Sequence, residues 1–172
     1  MRVPSTRGPR THTLRQKDGI GEPALAWMLI LLVAVCASCG GSGARYTEEQ
    51  AARARTTIET LQIRDVKAGT GESAEPGRRL VVHYSGWLYD SAAPDHHGQA
   101  FDASRPRGRP YDFVLGAAAV IPGWERGVAG MKEGGTRELT IPSRLAYGAA
   151  GSPPAIPPDA TLVFEIELMD VR

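Results

Sequence analysis

The sequence predicts an α+β fold in which a curved antiparallel β-sheet of about five strands wraps around one short α-helix. Three observations lead to this prediction. Apolar and polar residues alternate in five runs from Leu61 onward, one internal segment has the spacing of an amphipathic helix, and most of the 20 glycines and 13 prolines lie in turn-like clusters. Many short runs separated by turns favour a sheet-dominated domain over a helical bundle.

The strand predictions rest on a period of two. Turn-forming residues (glycine, proline, aspartate or serine) bound the alternating runs, which cover residues 61–64, 79–84, 111–115, 137–141 and 162–168. Because successive side chains of a strand point to opposite faces, the alternation gives each strand one buried and one solvated face. Strands of this kind are typical of an antiparallel sheet.

The helix prediction rests on apolar residues at helical spacing: Ile121, Trp124, Val128 and Met131. Pro122 suits a first helical turn, where its missing N–H has no partner to lose. Gly127 and Gly130 weaken a helix intrinsically, so their presence makes sense if the helix lies close against the sheet. One short helix can cover a five-stranded sheet only if the sheet curves around it.

Composition and charge exclude several functional classes. The formal net charge is +1 and the domain has interspersed charges, whereas a nucleic-acid surface needs a basic excess on one face. The two cysteines, Cys36 and Cys39, precede the domain, which therefore has no disulfide framework, thiolate metal site or catalytic thiol. His96 and His97 could bind a metal, but two ligands without a cysteine or a paired acid are weak evidence for a metal site, and we expect them in a solvated loop covering residues 92–98.

The first 39 residues have the layout of a secretory signal. Residues 2–17 contain five arginine or lysine residues and no acidic residue. An unbroken apolar run over residues 24–35 follows. The run is shorter than the about 20 residues of a spanning helix, and small residues come after it. The stretch 36–39 resembles a bacterial lipobox, with Cys39 as the lipidated residue, although the pattern prefers an aliphatic residue where Cys36 stands.

Lipidation at Cys39 predicts a protein of the cell envelope, anchored in a membrane by lipid and facing the periplasm or the exterior. Gly40 after the cysteine favours the outer membrane if the cell is Gram-negative, by a rule that the lipoprotein resemblance implies. Two alternatives are a soluble secreted protein cut near Ala37 and an uncleaved anchor. The predicted organisation is a signal over 1–39, a flexible tether over 40–60 and a domain over 61–172.

Part of the tether has the sequence features of a short helix. Thr47 could cap its N-terminus, with Glu48 and Glu49 in the first turn. Its apolar stripe is thin and the segment is too short for a dimerisation helix. We therefore interpret residues 45–60 as linker and expect a monomer.

Five short motifs follow one another through the domain: Val82-His83-Tyr84-Ser85-Gly86, Phe101-Asp102-Ala103-Ser104, Val120-Ile121-Pro122-Gly123-Trp124, Leu145-Ala146-Tyr147-Gly148 and the segment 156–164. Each is weak alone, but their order and spacing together are specific. The chain from about Leu61 to Arg172 resembles the FKBP family of peptidyl-prolyl cis/trans isomerases.

The resemblance implies a concave apolar pocket between sheet and helix that receives the proline ring of a polypeptide. Trp124 would form its floor, and the N–H of Ile121 and the hydroxyl of Tyr147 would donate to peptide carbonyls. Macrolides such as rapamycin are implied to bind there too. Carried over position by position, the catalytic set is Tyr84, Asp102, Ile121 and Tyr147, and the substrate-binding set is Phe101, Tyr111, Phe113, Val120, Trp124, Ile156 and Phe164.

These residue types suit the chemistry. Amide resonance gives the X–Pro bond a rotational barrier of about 18–20 kcal/mol. No bond breaks during rotation, so no nucleophile, metal or cofactor is required. Twisting makes the amide less polar, and an apolar pocket favours that state. Asp102 could orient the twisted carbonyl or shape the pocket through hydrogen bonds; we favour shaping, because a carboxylate repels a carbonyl oxygen.

Two other classes of function compete with an isomerase of exported or unfolded proteins. A binding module or chaperone would grip proline-containing segments in the same pocket without catalysis. A structural lipoprotein would use the domain as a spacer, a reading that the absence of repeats disfavours.

Overall fold

The computed structural model describes residues 45–56 and 58–172. The predicted signal, the apolar run and Cys39 lie outside these residues. Within them, none of the helices has the length and apolar character needed to span a membrane.

The described chain contains two helices and six strands. In chain order they are α1 (Glu48–Ala54), β1 (Gln62–Lys67), β2 (Arg79–Tyr89), β3 (His97–Ala103), β4 (Tyr111–Val114), α2 (Pro122–Gly127), β5 (Thr136–Ile141) and β6 (Leu162–Val171). Single turns of 3₁₀ helix cover Arg105–Arg107, Ser143–Leu145 and Gly148–Ala150.

All six strands form one antiparallel sheet, in the order β1-β5-β6-β2-β3, with β4 also paired to β2. The long strand β2 organises the sheet. One of its edges pairs with β6 from Leu80 to Leu88. Its other edge pairs first with β4 and then, from Ser85, with β3. The α+β prediction is therefore confirmed, with one strand more than expected. The prediction of one buried face for every strand is wrong for β1, whose six residues are all exposed because the strand pairs only with β5 at the edge of the sheet.

Strand β3 is the element that the sequence did not predict. Its residues, His-Gly-Gln-Ala-Phe-Asp-Ala, show no apolar alternation, and none of them is fully buried. Pairing with β2 holds the strand in place, although the register shifts twice along it. The expected solvated loop is correspondingly shorter, because His97 already belongs to β3. The imidazole of His97 stacks on the Trp87 ring, with centroids 4.1 Å apart.

Helix α2 ends earlier than its apolar spacing suggested. Val128 is its C-cap, with its N–H donating to the carbonyl of Trp124. Met131 lies beyond the helix but is still buried. Gly130 has a φ of +72°, a conformation that favours glycine and turns the chain away after the helix.

The two glycines inside α2 allow the helix to touch the sheet. A Cβ atom at Gly123 would lie 2.3 Å from Cγ2 of Ile141, and one at Gly127 would lie 2.5 Å from Cδ1 of Leu139. Both partners are fully buried on β5. Gly130, the other glycine expected at this contact, lies beyond α2, and a Cβ atom there would meet nothing within 4 Å. The expected close approach of helix and sheet is therefore confirmed through Gly127 and not through Gly130. It completes a core whose other members include Leu80, Val82, Leu162, Ile166 and Leu168.

Helix α1 is ordered against the domain, which differs from the flexible tether expected for this part of the chain. Thr47 and Gln50 form a capping box, and Ala51 and Ala54 are fully buried. The N–H of Thr161 donates to the carbonyl of Ala54 at 2.8 Å. The packed face consists of two alanines, which is why the apolar stripe looked too thin to predict docking.

Replacing Gly127 with alanine should destabilise the protein by about 1–3 kcal/mol, because the added methyl group overpacks the contact with Leu139. Helix propensity alone would have the opposite effect and would raise the free energy of unfolding by about 1 kcal/mol. Urea unfolding of wild type and Gly127→Ala measures the difference. Arg126→Ala, on the exposed side of the same helix, should change the free energy of unfolding by less than about 0.5 kcal/mol. A stabilised Gly127→Ala protein would contradict the close approach.

Candidate active site

A cavity of about 440 Å³ opens beside α2 on the concave side of the sheet. All but two of the residues expected in the pocket line it. Two small residues that the sequence did not point to, Ala118 and Ala119, line it as well. The lining comprises Tyr84, Phe101, Asp102, Tyr111, Ala118, Ala119, Val120, Ile121, Trp124, Tyr147 and Phe164.

Aromatic rings form the base of the cavity. The Trp124 side chain is only 4% exposed and meets the Phe164 ring edge-on, with centroids 5.3 Å apart. Tyr84 contacts the same indole edge-on at 5.1 Å. Edge-to-face contacts of this kind hold rings in fixed orientations. The indole N–H of Trp124 is buried and has no hydrogen-bond partner within the part of the chain that the structure describes.

Gly86 makes room for the aromatic wall. It lies on β2 opposite Asp102 of β3 and Phe164 of β6. A Cβ atom here would come within 2.7 Å of the Phe101 ring and 2.8 Å of the Phe164 ring. The missing side chain lets these two rings meet edge-on at 5.5 Å above the strand.

A polar cluster occupies one side of the cavity. The Tyr84 hydroxyl donates to Oδ2 of Asp102 at 2.5 Å, and Nη2 of Arg107 donates to the Tyr84 oxygen at 2.6 Å. Arg107 also forms an ion pair with Asp102 and lies over the Tyr84 ring. Asp102 therefore has two donors of its own, an arrangement that suits shaping the cavity better than facing a carbonyl oxygen.

Ser104 fixes the backbone beneath this cluster. It is completely buried, and its hydroxyl accepts from the N–H of Tyr84 at 2.9 Å. Its own N–H donates to the carbonyl of Tyr84 at 3.0 Å. These bonds clamp the end of β3 to β2, and so hold Asp102 beside Tyr84. The serine of the Phe-Asp-Ala-Ser motif is thus a positioning residue.

Burial keeps two tyrosine hydroxyls protonated. Burial first, and then the hydrogen bond to Asp102, raise the pKa of Tyr84 to about 12 against the opposing effect of Arg107. The pKa of Tyr147 is raised as well, by burial first and then by the negative charge of Asp102. Both hydroxyls are therefore neutral hydrogen-bond donors near neutral pH.

The two groups expected to donate hydrogen bonds to a bound polypeptide, one backbone N–H and one side-chain hydroxyl, lie at the cavity rim. Ile121 immediately precedes α2, and its carbonyl accepts from the N–H of Trp124 at 2.9 Å. Tyr147 stands between two turns of 3₁₀ helix and is 40% exposed. Neither the N–H of Ile121 nor the Tyr147 hydroxyl has an acceptor among residues 45–56 and 58–172. Both groups line the cavity and can donate to a bound chain.

Phe113 and Ile156 are the two expected pocket residues that do not line the cavity. Each is only 4% exposed and belongs to the hydrophobic core. The Phe113 ring packs against Trp124, with centroids 5.9 Å apart. Phe113 therefore supports the floor from the core and does not contribute to the cavity wall.

The histidine pair lies away from the cavity. His97 is 3.2 Å from Glu138 through Nε2, and His96 stacks on Tyr89. Across the described ranges, no three His, Cys, Asp or Glu side chains are grouped as a metal site.

Comparison with known proteins identifies the family of this chain. The family described as FKBP-type peptidyl-prolyl cis-trans isomerase matches residues 70–169. The "FK506-binding protein" of Neisseria meningitidis serogroup A is 47% identical over 112 residues, which are 65% of this chain and 96% of the relative. "Peptidyl-prolyl cis-trans isomerase FPR2" of Saccharomyces cerevisiae is 52% identical over 99 residues, which are 58% of this chain and 69% of the relative.

A solved structure agrees with these matches. The crystal structure of FkpA from Escherichia coli superposes with a TM-score of 0.56 at 46% identity, covering 65% of this chain and 48% of that chain. The antiparallel sheet with one main helix is thus the fold of a known family. This chain belongs to the FKBP-type peptidyl-prolyl cis-trans isomerases.

Proposed function

We propose that this isomerase acts in the cell envelope on exported or unfolded polypeptides, and that it catalyses rotation about their X–Pro bonds inside the aromatic cavity. One observation carries the proposal: the cavity combines an apolar floor of Trp124 and Phe164 with neutral donors at its rim. We also propose that the protein acts as a monomer.

The apolar floor supplies the main catalytic effect. A planar amide is polarised by resonance and is well solvated by water, whereas the twisted amide has lost that polarisation. Moving the bond out of water into a cavity walled by Phe101, Trp124 and Phe164 costs the planar state more than the twisted state. The barrier to rotation falls without any covalent step.

The donors at the rim restrain the chain on either side of the turning bond. The N–H of Ile121 and the Tyr147 hydroxyl can each hold a carbonyl while the proline ring stays on the floor. Because both groups are already in place before the substrate arrives, little reorganisation accompanies rotation.

The cluster of Tyr84, Asp102 and Arg107 shapes the remaining wall. Its charges compensate each other, so the wall is polar without presenting a free carboxylate to the substrate. The same cavity should take macrolides such as rapamycin, in keeping with relatives named FK506-binding proteins.

The signal-like N-terminus supports the proposed location. Basic residues, a short apolar run and the small residues around Cys39 would direct export and lipidation. Lipid chains on Cys39 would hold the domain at a membrane, facing the periplasm or the exterior. Gly40 favours the outer membrane in a Gram-negative cell.

Tyr84→Phe and Asp102→Asn should each lower kcat/KM for a proline peptide by about tenfold, because each removes hydrogen bonds or charge from the network of Tyr84, Asp102 and Arg107. Since the two residues share one network, the double variant should lose little more than either single variant. A peptide isomerisation assay measures all three. Asp170→Asn is the matched control, because its carboxylate pairs with Arg172 and does not line the proline cavity. Losses that multiply in the double variant would show that Asp102 acts independently of Tyr84.

Tyr84 should make the protein sensitive to alkaline pH. The unfolded chain releases the phenol proton near its ordinary pKa of about 10, whereas the folded protein holds it to about 12. Because the folded pKa is the higher one, the contribution of Tyr84 to stability is complete below about pH 10. It is lost as the pH rises through about 12. Urea unfolding between about pH 8 and pH 12 should therefore show a steeper fall for wild type than for Tyr84→Phe. Parallel curves would contradict the buried, neutral phenol.

Lipidation is tested by expressing the full chain in bacteria fed with labelled palmitate. Label should enter the wild-type protein and be absent from Cys39→Ser, which should leave the membrane fraction. Cys36→Leu supplies the matched control, since it keeps the modified residue and restores an aliphatic residue at the preceding position. Label that persists in Cys39→Ser would rule out that residue as the lipid attachment site.

A further inference from the structure

A second cavity continues from the first along the edge of the sheet. It has a volume of about 480 Å³ and shares Tyr84, Asp102 and Tyr111 with the proline cavity. Its remaining lining comes from the segment that joins β3 to β4 and from the start of β4: Arg107, Arg109, Pro110 and Asp112. A polypeptide whose proline occupies the first cavity can therefore extend directly into the second.

The joining segment is held in a defined shape. It contains a 3₁₀ turn over Arg105–Arg107, followed by Gly108 in the left-handed region with a φ of +68°. Pro110 then restricts the backbone immediately before β4. Arg109 lies between the glycine and the proline, so its backbone position at the cavity is set by both neighbours.

Not every charged side chain that lines the second cavity has a partner of opposite charge. Arg107 pairs with Asp102, and Asp112 pairs with Arg79 across the β2–β4 ladder. Arg105, the other arginine of the segment, pairs with Glu167. Arg109 has no acidic partner in the described ranges, although it lines the cavity. One exposed cation therefore faces the path that a bound chain would follow.

We infer that the second cavity is a subsite for residues flanking the proline, and that Arg109 makes it select an acidic side chain within about three residues of that proline. This inference rests on the proposed function of the first cavity. The aromatic face of Tyr111, which is 39% exposed, gives the methylene groups of a glutamate an apolar surface. A lysine at the same place would meet Arg109 with like charge.

The experiment uses a set of alanine-based peptides with one proline and a constant residue before it. Glutamate, glutamine or lysine is placed two or three residues from the proline, on either side. At one of these positions kcat/KM of the wild-type protein should be about two- to fivefold higher for glutamate than for lysine, the effect of one exposed ion pair. The preference should shrink in about 1 M salt, where the screening length is about 3 Å.

Three variants connect the preference to Arg109. Arg109→Gln should abolish it, and Arg109→Glu should reverse it in favour of lysine, which a purely structural role would not do. Lys132→Gln removes the same charge from an exposed residue that lines neither cavity, and should keep the wild-type preference.

Equal rates for glutamate and lysine at every position, with all peptides accelerated, would overturn the subsite and leave the proposed function intact. A preference that survives in Arg109→Gln would overturn the role of Arg109. Failure to accelerate any peptide would overturn the proposed function, and the subsite with it.

Discussion

The contact between helix α2 and strand β5 is the constraint on which the site depends. It exists because Gly123 and Gly127 present no side chain to Ile141 and Leu139. Two glycines in six helical residues cost intrinsic helix stability, and burial of the helix against the core offsets that cost. The close approach sets the height of Trp124 above the sheet, and therefore the depth of the cavity floor. Gly86 has the corresponding role in β2, because the absence of a side chain there leaves space for the rings of Phe101 and Phe164.

Above this floor, the polar groups of the cavity are either neutral or already paired with groups of opposite charge. Tyr84 and Tyr147 are neutral donors, and Asp102 is held by Tyr84 and Arg107. Such an environment suits a reaction in which an amide becomes less polar on the way to its transition state. Rotation about the X–Pro bond requires no proton transfer and breaks no bond, so it needs only the packing and the hydrogen bonds that these groups supply.

Sequence reasoning predicted the parts that follow from local periodicity. The alternation of five runs, the helical spacing around Trp124 and the packing role of Gly127 all depend on near neighbours in the chain. Strand β3 was missed because Gly98 and Ala100 interrupt any alternation, and its order comes from pairing with β2. The docking of α1 was missed because alanines form its buried face.

The cavity was also predicted only in part. A period of two puts Tyr111 and Phe113 on the same face but does not say where along the strand the cavity ends. Trp124 covers Phe113, which leaves Tyr111 at the wall. Arg107 could not be foreseen, since its contact with Asp102 depends on the 3₁₀ turn between them.

If rotation about X–Pro bonds takes place over the Trp124 side chain, a ligand that fills the cavity should stop it. Titration of rapamycin into a peptide isomerisation assay of the purified protein measures this, with drug occupancy followed by the fluorescence of the buried indole. We expect acceleration by the free protein, and loss of that acceleration in proportion to the fraction of cavity occupied. Acceleration that persists when the cavity is saturated would place the chemistry elsewhere. A protein that binds the drug but never accelerates the peptide would be one that uses the cavity for binding alone.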